Sequence, residues 1–176
     1  MPPEFAQCQL YVDAAYIRER LVSLGISPWF GAVELQRPLG NLRIDGRRLS
    51  VRRTIFYDAI DGRAPDADEH EKYLDRLGRL DDTLVRLGTV TGTRPRRQKG
   101  VDMRIGMDMM VAARSGFIEY IVLAAGDADF IPAVQQVQDL GPKVIVLAFP
   151  NSLSPDLVLE ADRVIELPTN PDRLWL

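Results

Sequence analysis

Cysteine is nearly absent: Cys8 is the one example in 176 residues. No intrachain disulfide and no cysteine zinc cluster can form. Cys8 reads as a small apolar residue entering the first strand. Histidine is as scarce, and the single His70 lies in an acidic stretch where it reads as a surface residue. No apolar run approaches the length of a membrane span. The opening residues, MPPEFAQCQL, lack the basic start and apolar core of a signal peptide. These absences point to a reducing, cytoplasmic setting with no membrane attachment. A strong charge of either sign is missing too. The net charge is −3, which excludes a uniformly basic nucleic-acid binder and directs attention to local charge.

What is present suits one domain over residues 1–176, with 46% hydrophobic and 27% charged residues. A first strand runs over Gln9 to Val12 and meets Asp13. A helix follows from Ala14 towards Leu24, with Ile17, Leu21 and Leu24 on one face. Pro38, Gly40 and Gly46 argue against a helix between Trp29 and Ser50, and Asp45-Gly46 reads as a hairpin turn. Val51 to Tyr57 is a second strand ending near Asp58. Leucines 74, 77, 80, 84 and 87 form an apolar stripe that predicts a helix from Glu69 to Leu87. A strand is expected over Leu87 to Thr93, and a helix over Val101 to Arg114 whose methionines 103, 107, 109 and 110 pack into the core. Two dense apolar strands, Glu119 to Ala124 and Lys143 to Phe149, flank a helix starting near Asp129. Ser154-Pro155-Asp156 opens a last helix before a strand over Arg163 to Leu167. The alternation of strand and helix, with strands apolar on both faces, predicts an α/β protein: a parallel-sheet α/β/α sandwich, three-layered and Rossmann-like.

In such a sheet, ligands bind beyond the carboxyl ends of the strands. Asp13 and Asp127 close strands there, Asp129 follows two residues on, and Asp102 begins the helix after a basic run. Each acid also has a plain structural reading. Asp13 and Asp129 could be helix caps, Asp127 a turn residue, and Asp102 a first-turn acid favoured by the helix dipole. Asp108 lies six residues after Asp102, which at about 100° per residue puts the two on different faces. That leaves Asp108 as a buried group with a polar partner or a supporting group. Taken together, converging carboxylates repel one another and suit a hard divalent cation such as Mg²⁺ or Mn²⁺. A cation so held can activate water and screen a phosphodiester.

Two segments concentrate positive charge. Residues 94–104 carry Arg94, Arg96, Arg97, Lys99 and Arg104 against Asp102, a net of +4. Residues 41–53 carry five arginines against Asp45, again a net of +4. The first run leads directly into Asp102 and suits a phosphate backbone. The second reads more simply as a charged hairpin edge.

Three blocks resemble the NYN domain family, in particular the LabA-like branch of the PIN-like nucleases: LYVDAAYIRERL (10–21), RQKGVDMRIGMDMM (97–110) and LAAGDADFIPAVQQV (123–137). LSPDLVLEADRVIEL (153–167) resembles the family's closing helix and strand. The resemblance implies a PIN-like α/β sandwich and Mg²⁺- or Mn²⁺-dependent cleavage of RNA. It implies catalytic roles for Asp13, Asp102 and Asp127, with Asp129 and Asp108 as further metal-site acids. Lys99, with Arg96 and Arg97, is then expected to hold the RNA backbone. Two departures stand out. Ala14, Ala15 and Tyr16 follow Asp13 where many relatives carry an asparagine, and Ala125 stands where a serine is common. They motivate an alternative reading, a non-catalytic RNA-binding or adaptor module on the same fold. A homo-oligomer or a protein partner remains open, as does whether the apolar tail tip Leu174-Trp175 docks on its own chain. A phosphatase of the haloacid dehalogenase type would want an aspartate at Ala15, and a Toprim-like domain a glutamate at Asp13.

Overall fold

The alternation of side chains along the first strand, β1 (Phe5–Asp13), decides how the sheet is covered. Ala6, Cys8, Leu10 and Val12 enter one buried cluster while Tyr11 enters the other, so the strand has core on both sides. The computed structural model describes residues 4–91 and 97–170. Along the chain follow α1 (Ala14–Ser23), α2 (Ala32–Gly40), β2 (Arg43–Ile44), β3 (Arg47–Asp58), α3 (Ala67–Gly78), β4 (Thr83–Leu87), β5 (Thr89–Thr91) and β6 (Arg97–Lys99). Then come α4 (Val101–Arg114), β7 (Tyr120–Ala124), a 3₁₀ turn (Ala128–Phe130), α5 (Ile131–Asp139), β8 (Lys143–Ala148), α6 (Pro155–Glu160) and β9 (Arg163–Glu166).

The main sheet runs in the order β3-β1-β7-β8-β9, all parallel, with β4 parallel and β2 antiparallel along the outer side of β3. Helices α1, α2 and α3 cover one face through Ile17, Leu21, Leu35, Leu39, Leu74 and Leu77. Helices α4, α5 and α6 cover the other through Ile105, Met109, Val134, Val137 and Leu157. This is the mixed α/β sandwich that the strand and helix alternation predicts. Among the described residues no helix is long and apolar enough to cross a membrane.

The hairpin turn at Asp45-Gly46 is present, with both residues at positive φ (52° and 79°). That conformation matches the twist of a two-residue hairpin. It sits at the amino end of the sheet. There Arg47 pairs with Glu119 at 2.5 Å and Lys143 with Asp45 at 3.2 Å.

Four local expectations fail for identifiable reasons. Residues 32–40 are helical despite Pro38, because proline falls late in α2 and the apolar residues Leu35 and Leu39 bury against the sheet. The leucine stripe after residue 69 is not one helix. Helix α3 stops at Gly78, Asp82 takes φ +54°, and Thr83–Leu87 pairs with β3 as a strand. The stripe's spacing fits a helix, but Leu80 and Leu87 are exposed. Met109 is buried as expected, whereas Met103 and Met107 face outwards. His70, expected at the surface, is 7% exposed and belongs to a polar cluster described below.

The boundary between α3 and β4 makes a direct test. Leu74→Ala should cost about 2–5 kcal/mol through cavity formation. Leu80→Gln should stay within about 0.5 kcal/mol of the parent, as exposed positions do. Urea denaturation of both variants measures the contrast, and equal losses would restore the continuous helix.

Candidate functional site

Strand register brings the acids together. Asp13 is the last residue of β1 and lies opposite Tyr57 of β3, one residue before Asp58. On the other side Val12 lies opposite Ala124, so the turn Ala125-Gly126-Asp127 leaves β7 beside Asp13. Helix α4 begins at Val101, after Gly100 at φ +80°, and sets Asp102 in its first turn. The carboxyl rim of the sheet thus receives acids from β1, β3, β7 and α4.

The acids report on one another. Burial pushes the Asp13 carboxyl up to about 7. The backbone N–H of Tyr16 counteracts this, and the negative charges of Asp102, Asp58 and Glu19 add to it. Asp102 is also raised, first by desolvation and then by Asp127 and Asp129. Asp102 is thus the link, its charge felt at Asp13 and the charges of Asp127 and Asp129 felt at Asp102. The capping expected of Asp13 is present, its Oδ1 accepting from Tyr16 N at 3.2 Å. At the other strand end the cap is Asp127, expected as a turn residue, and not Asp129: Asp127 Oδ1 accepts from Asp129 N at 3.0 Å. The capping and metal-site readings are therefore compatible at both positions.

Asp108 has other company. Its Oδ2 accepts from the Tyr57 hydroxyl and from Arg86 Nη1, each at 2.6 Å. The Tyr11 hydroxyl reaches its backbone carbonyl at 3.3 Å. Six residues of helix, about 9 Å of rise, separate it from Asp102. Arg94 and Arg96 lie outside the described residues, as do the side chains of Arg97 and Lys99. The backbone of Arg97–Lys99 pairs antiparallel with Thr89–Thr91 and leads into Gly100 and α4.

Asp58 is the acid that sequence reasoning passed over. It is fully buried. Its Oδ2 pairs with Arg18 Nη1 and lies 2.9 Å from His70 Nε2, while its Oδ1 accepts from Ala59 N at 2.8 Å. His70 also lies 2.6 Å from Arg18 Nη1, and its ring packs near Trp29. A buried carboxylate persists because cationic and N–H partners surround it. The signal was available: VRRTIFYD ends a strand on an aspartate just as LYVD does.

Tyr16 is the second omission. Its hydroxyl lies 2.7 Å from Ser152 Oγ and accepts from Phe149 N at 3.0 Å. Its ring walls Gly126, whose carbonyl accepts from Ser154 N at 2.9 Å. A Cβ on Gly126 would overlap the Ser152 carbonyl and sit 2.7 Å from Tyr16 Cε2. The glycine before Asp127 is thus required by close packing, which fixes the height at which Asp127 leaves the sheet.

The donor set suits a hard divalent cation in kind, being carboxylate oxygens held in an electrostatically coupled group. Among the described residues, no three histidine, cysteine, aspartate or glutamate side chains gather closely enough to hold an ion as they stand. Completing a shell would take carboxylate rotation and water ligands, the usual habit of Mg²⁺.

Two outcomes follow. The folded state holds the Asp13 proton more tightly than the unfolded chain, so this group's contribution to stability falls as pH rises from about 4 to about 7. Asp13→Asn keeps a competent cap, and it should flatten that part of the stability–pH curve and be the more stable protein at pH 8, by chemical denaturation. Gly126→Ala should lower stability by about 1–3 kcal/mol through overpacking, read from the urea midpoint.

Comparison with known proteins bears on the family and the fold. Residues 6–168 match the NYN domain. The uncharacterised protein y4oD of Sinorhizobium fredii is 39% identical over 90 residues, covering 49% of this chain and 41% of that protein. The chain therefore spans less than half the length of this curated relative. A crystal structure of a protein of unknown function from Vibrio parahaemolyticus superposes with a TM-score of 0.66 at 20% identity, over 96% of both chains. That likeness is one of fold. NYN nucleases act on RNA, and PIN-like nucleases generally use divalent metals. The chain belongs to the NYN domain family, whose members are typically nucleases of the PIN-like kind.

Proposed function

We propose that this chain is a metal-dependent endoribonuclease of the LabA-like branch, cutting RNA phosphodiester bonds at the carboxyl rim of its sheet in the cytoplasm. The observation that carries this reading is geometric: strand register sets Asp13 beside the β7 turn that carries Asp127, and Asp102 of α4 lines one groove with Asp129. Asp13, Asp102 and Asp127 would hold Mg²⁺ or Mn²⁺, with Asp129 beside them. When bound there, such a cation supplies a Lewis acid that screens the charge of a phosphodiester. The chain's own residues do the rest. Asp13, with its raised proton affinity, is poised to lose a proton as positive charge arrives. Asp58 holds Arg18 and His70 behind it. Asp108 has a supporting role, tying Tyr57 and Arg86 to α4. Arg96, Arg97 and Lys99 lead into the site along the chain and would neutralise backbone phosphates.

The adaptor reading has its own support. Ala14 and Ala15 place no polar side chain next to Asp13. It requires RNA binding without turnover.

A labelled RNA, structured or single-stranded, incubated with Mn²⁺, Mg²⁺ or EDTA decides between them. Cleavage should need the cation and vanish in Asp127→Asn. The variant should melt with the parent, since Asp127 is exposed. RNA retained but uncut under every condition would overturn the nuclease assignment and favour the adaptor.

A further inference from the structure

Helix α4 has two apolar faces, and the fold uses one. Val101, Ile105, Met109 and Ala113 are buried against the sheet. On the outer face Met103, Met107 and Val111, spaced by four residues, are 72%, 56% and 69% exposed. At about 100° per residue, Met110 and Arg114 belong to the same outer stripe. Leu140, 42% exposed at the end of α5, widens it. Two shallow grooves run between α4 and α5. One, of about 400 Å³, carries Asp102 and Asp129 at one end and Met103, Met107 and Met110 along its wall. The other, of about 360 Å³, continues from Met107 past Val111 to Arg114. Their floor is set at Gly106, where a Cβ would stand 3.0 Å from the Ala133 Cβ. A contiguous apolar patch of this kind on a surface marks an interaction site.

The pattern identifies the occupant. The stripe reads the same from either end about Met107: Met103 lies four residues before it and Val111 four after. A surface that is its own complement under a two-fold rotation is what an isologous dimer uses. The charges agree. The amino end of the grooves is acidic through Asp102 and Asp129, and the carboxyl end carries Arg114 beside Asp139. Only an antiparallel arrangement sets Arg114 against the acidic end, and it also opposes the two helix dipoles favourably. Flexible methionines suit the filling of the facing grooves.

We propose that α4 packs antiparallel against α4 of a second copy of this chain, with the two-fold axis at Met107 and Met103 against Val111 of the partner subunit. The arrangement brings Arg114 of the partner subunit to the end of the groove lined by Asp102 and Asp129. Each acidic rim thereby receives a cation from the other copy. A role for that arginine in holding RNA rests on the ribonuclease reading; the dimer does not.

Sedimentation velocity across the micromolar range should show a dimer. Met107→Asp should give a folded monomer with an unchanged circular dichroism spectrum, because the side chain is exposed in the single chain, and its melting temperature should lose any dependence on protein concentration. Arg114→Glu should weaken the dimer about tenfold or more, a change of about 1.4 kcal/mol. Cross-linking checks the register, since the native Cys8 is buried. Met107→Cys should cross-link to its own copy on oxidation, whereas Met103→Cys should cross-link efficiently only when mixed with Val111→Cys. A monomer throughout the range would overturn the proposal. So would a dimer indifferent to Met107→Asp, or self-linking by Met103→Cys that exceeds that of Met107→Cys. A dimer that cuts no RNA would count against the ribonuclease reading alone.

Discussion

β1 is hydrogen-bonded in parallel to β3 on one side and to β7 on the other, and the functional end of the molecule depends on that double pairing. Parallel pairing fixes relative height: once Val12 is opposite both Phe56 and Ala124, the next residues of all three strands must emerge together. Two of the strands end on aspartate, and the third turns into Gly126-Asp127. The fold therefore collects negative charge at one edge as a consequence of register, without any single residue being placed there by its own preference. Collecting it is unfavourable, since desolvation and like charges both oppose ionisation. The raised proton affinities of Asp13 and Asp102 are the trace of that opposition.

The molecule treats its acids unequally. At the amino end of the sheet Glu119 is matched by Arg47, and Asp45 by Lys143. Asp58, fully buried, is enclosed by Arg18 and His70. Asp108 is engaged by Tyr57 and Arg86. Among the described residues, Asp13, Asp102 and Asp127 form no comparable ion pair with lysine or arginine. A protein that neutralises acids elsewhere, including one at the neighbouring strand end, has the means to neutralise these. Among the described residues these three are left to repel one another, the arrangement that the proposed cation site would need.

Much of this was legible in the residues, and the parts that were not share a cause. Apolar runs such as YIVLA mark doubly covered strands, and the aspartates at their ends mark the rim, because both follow from strand period and sheet topology. Helix α2 and the α3–β4 boundary were not legible. Leu80, Leu84 and Leu87 continue a helical spacing by coincidence, and the pairing of Thr83–Leu87 with β3 is a long-range fact that no local window contains. Proline in α2 misled in the same way, with tertiary burial of Leu35 and Leu39 overriding local preference. Asp58 and His70 are twelve residues apart in sequence and meet only because α3 folds back over β3. Composition identified His70 as solvated, and tertiary packing against Trp29 and Tyr73 reversed that.

Helix α4 then joins the two halves of the functional picture. Its first turn carries Asp102 into the acidic group, and its inner face anchors it to the sheet through Ile105 and Met109. Asp108, between these, ties the helix to β3 and β4 through Tyr57 and Arg86. The position of Asp102 is thereby fixed by contacts almost two turns away. This accounts for an acid of the helix that stays off the rim yet supports it. The outer face, left apolar, is rigidly oriented by the same contacts. A rigid helix presenting Asp102 at one end and Arg114 at the other can couple assembly to the acidic site, because anything that packs along its outer face must meet the rim's charge.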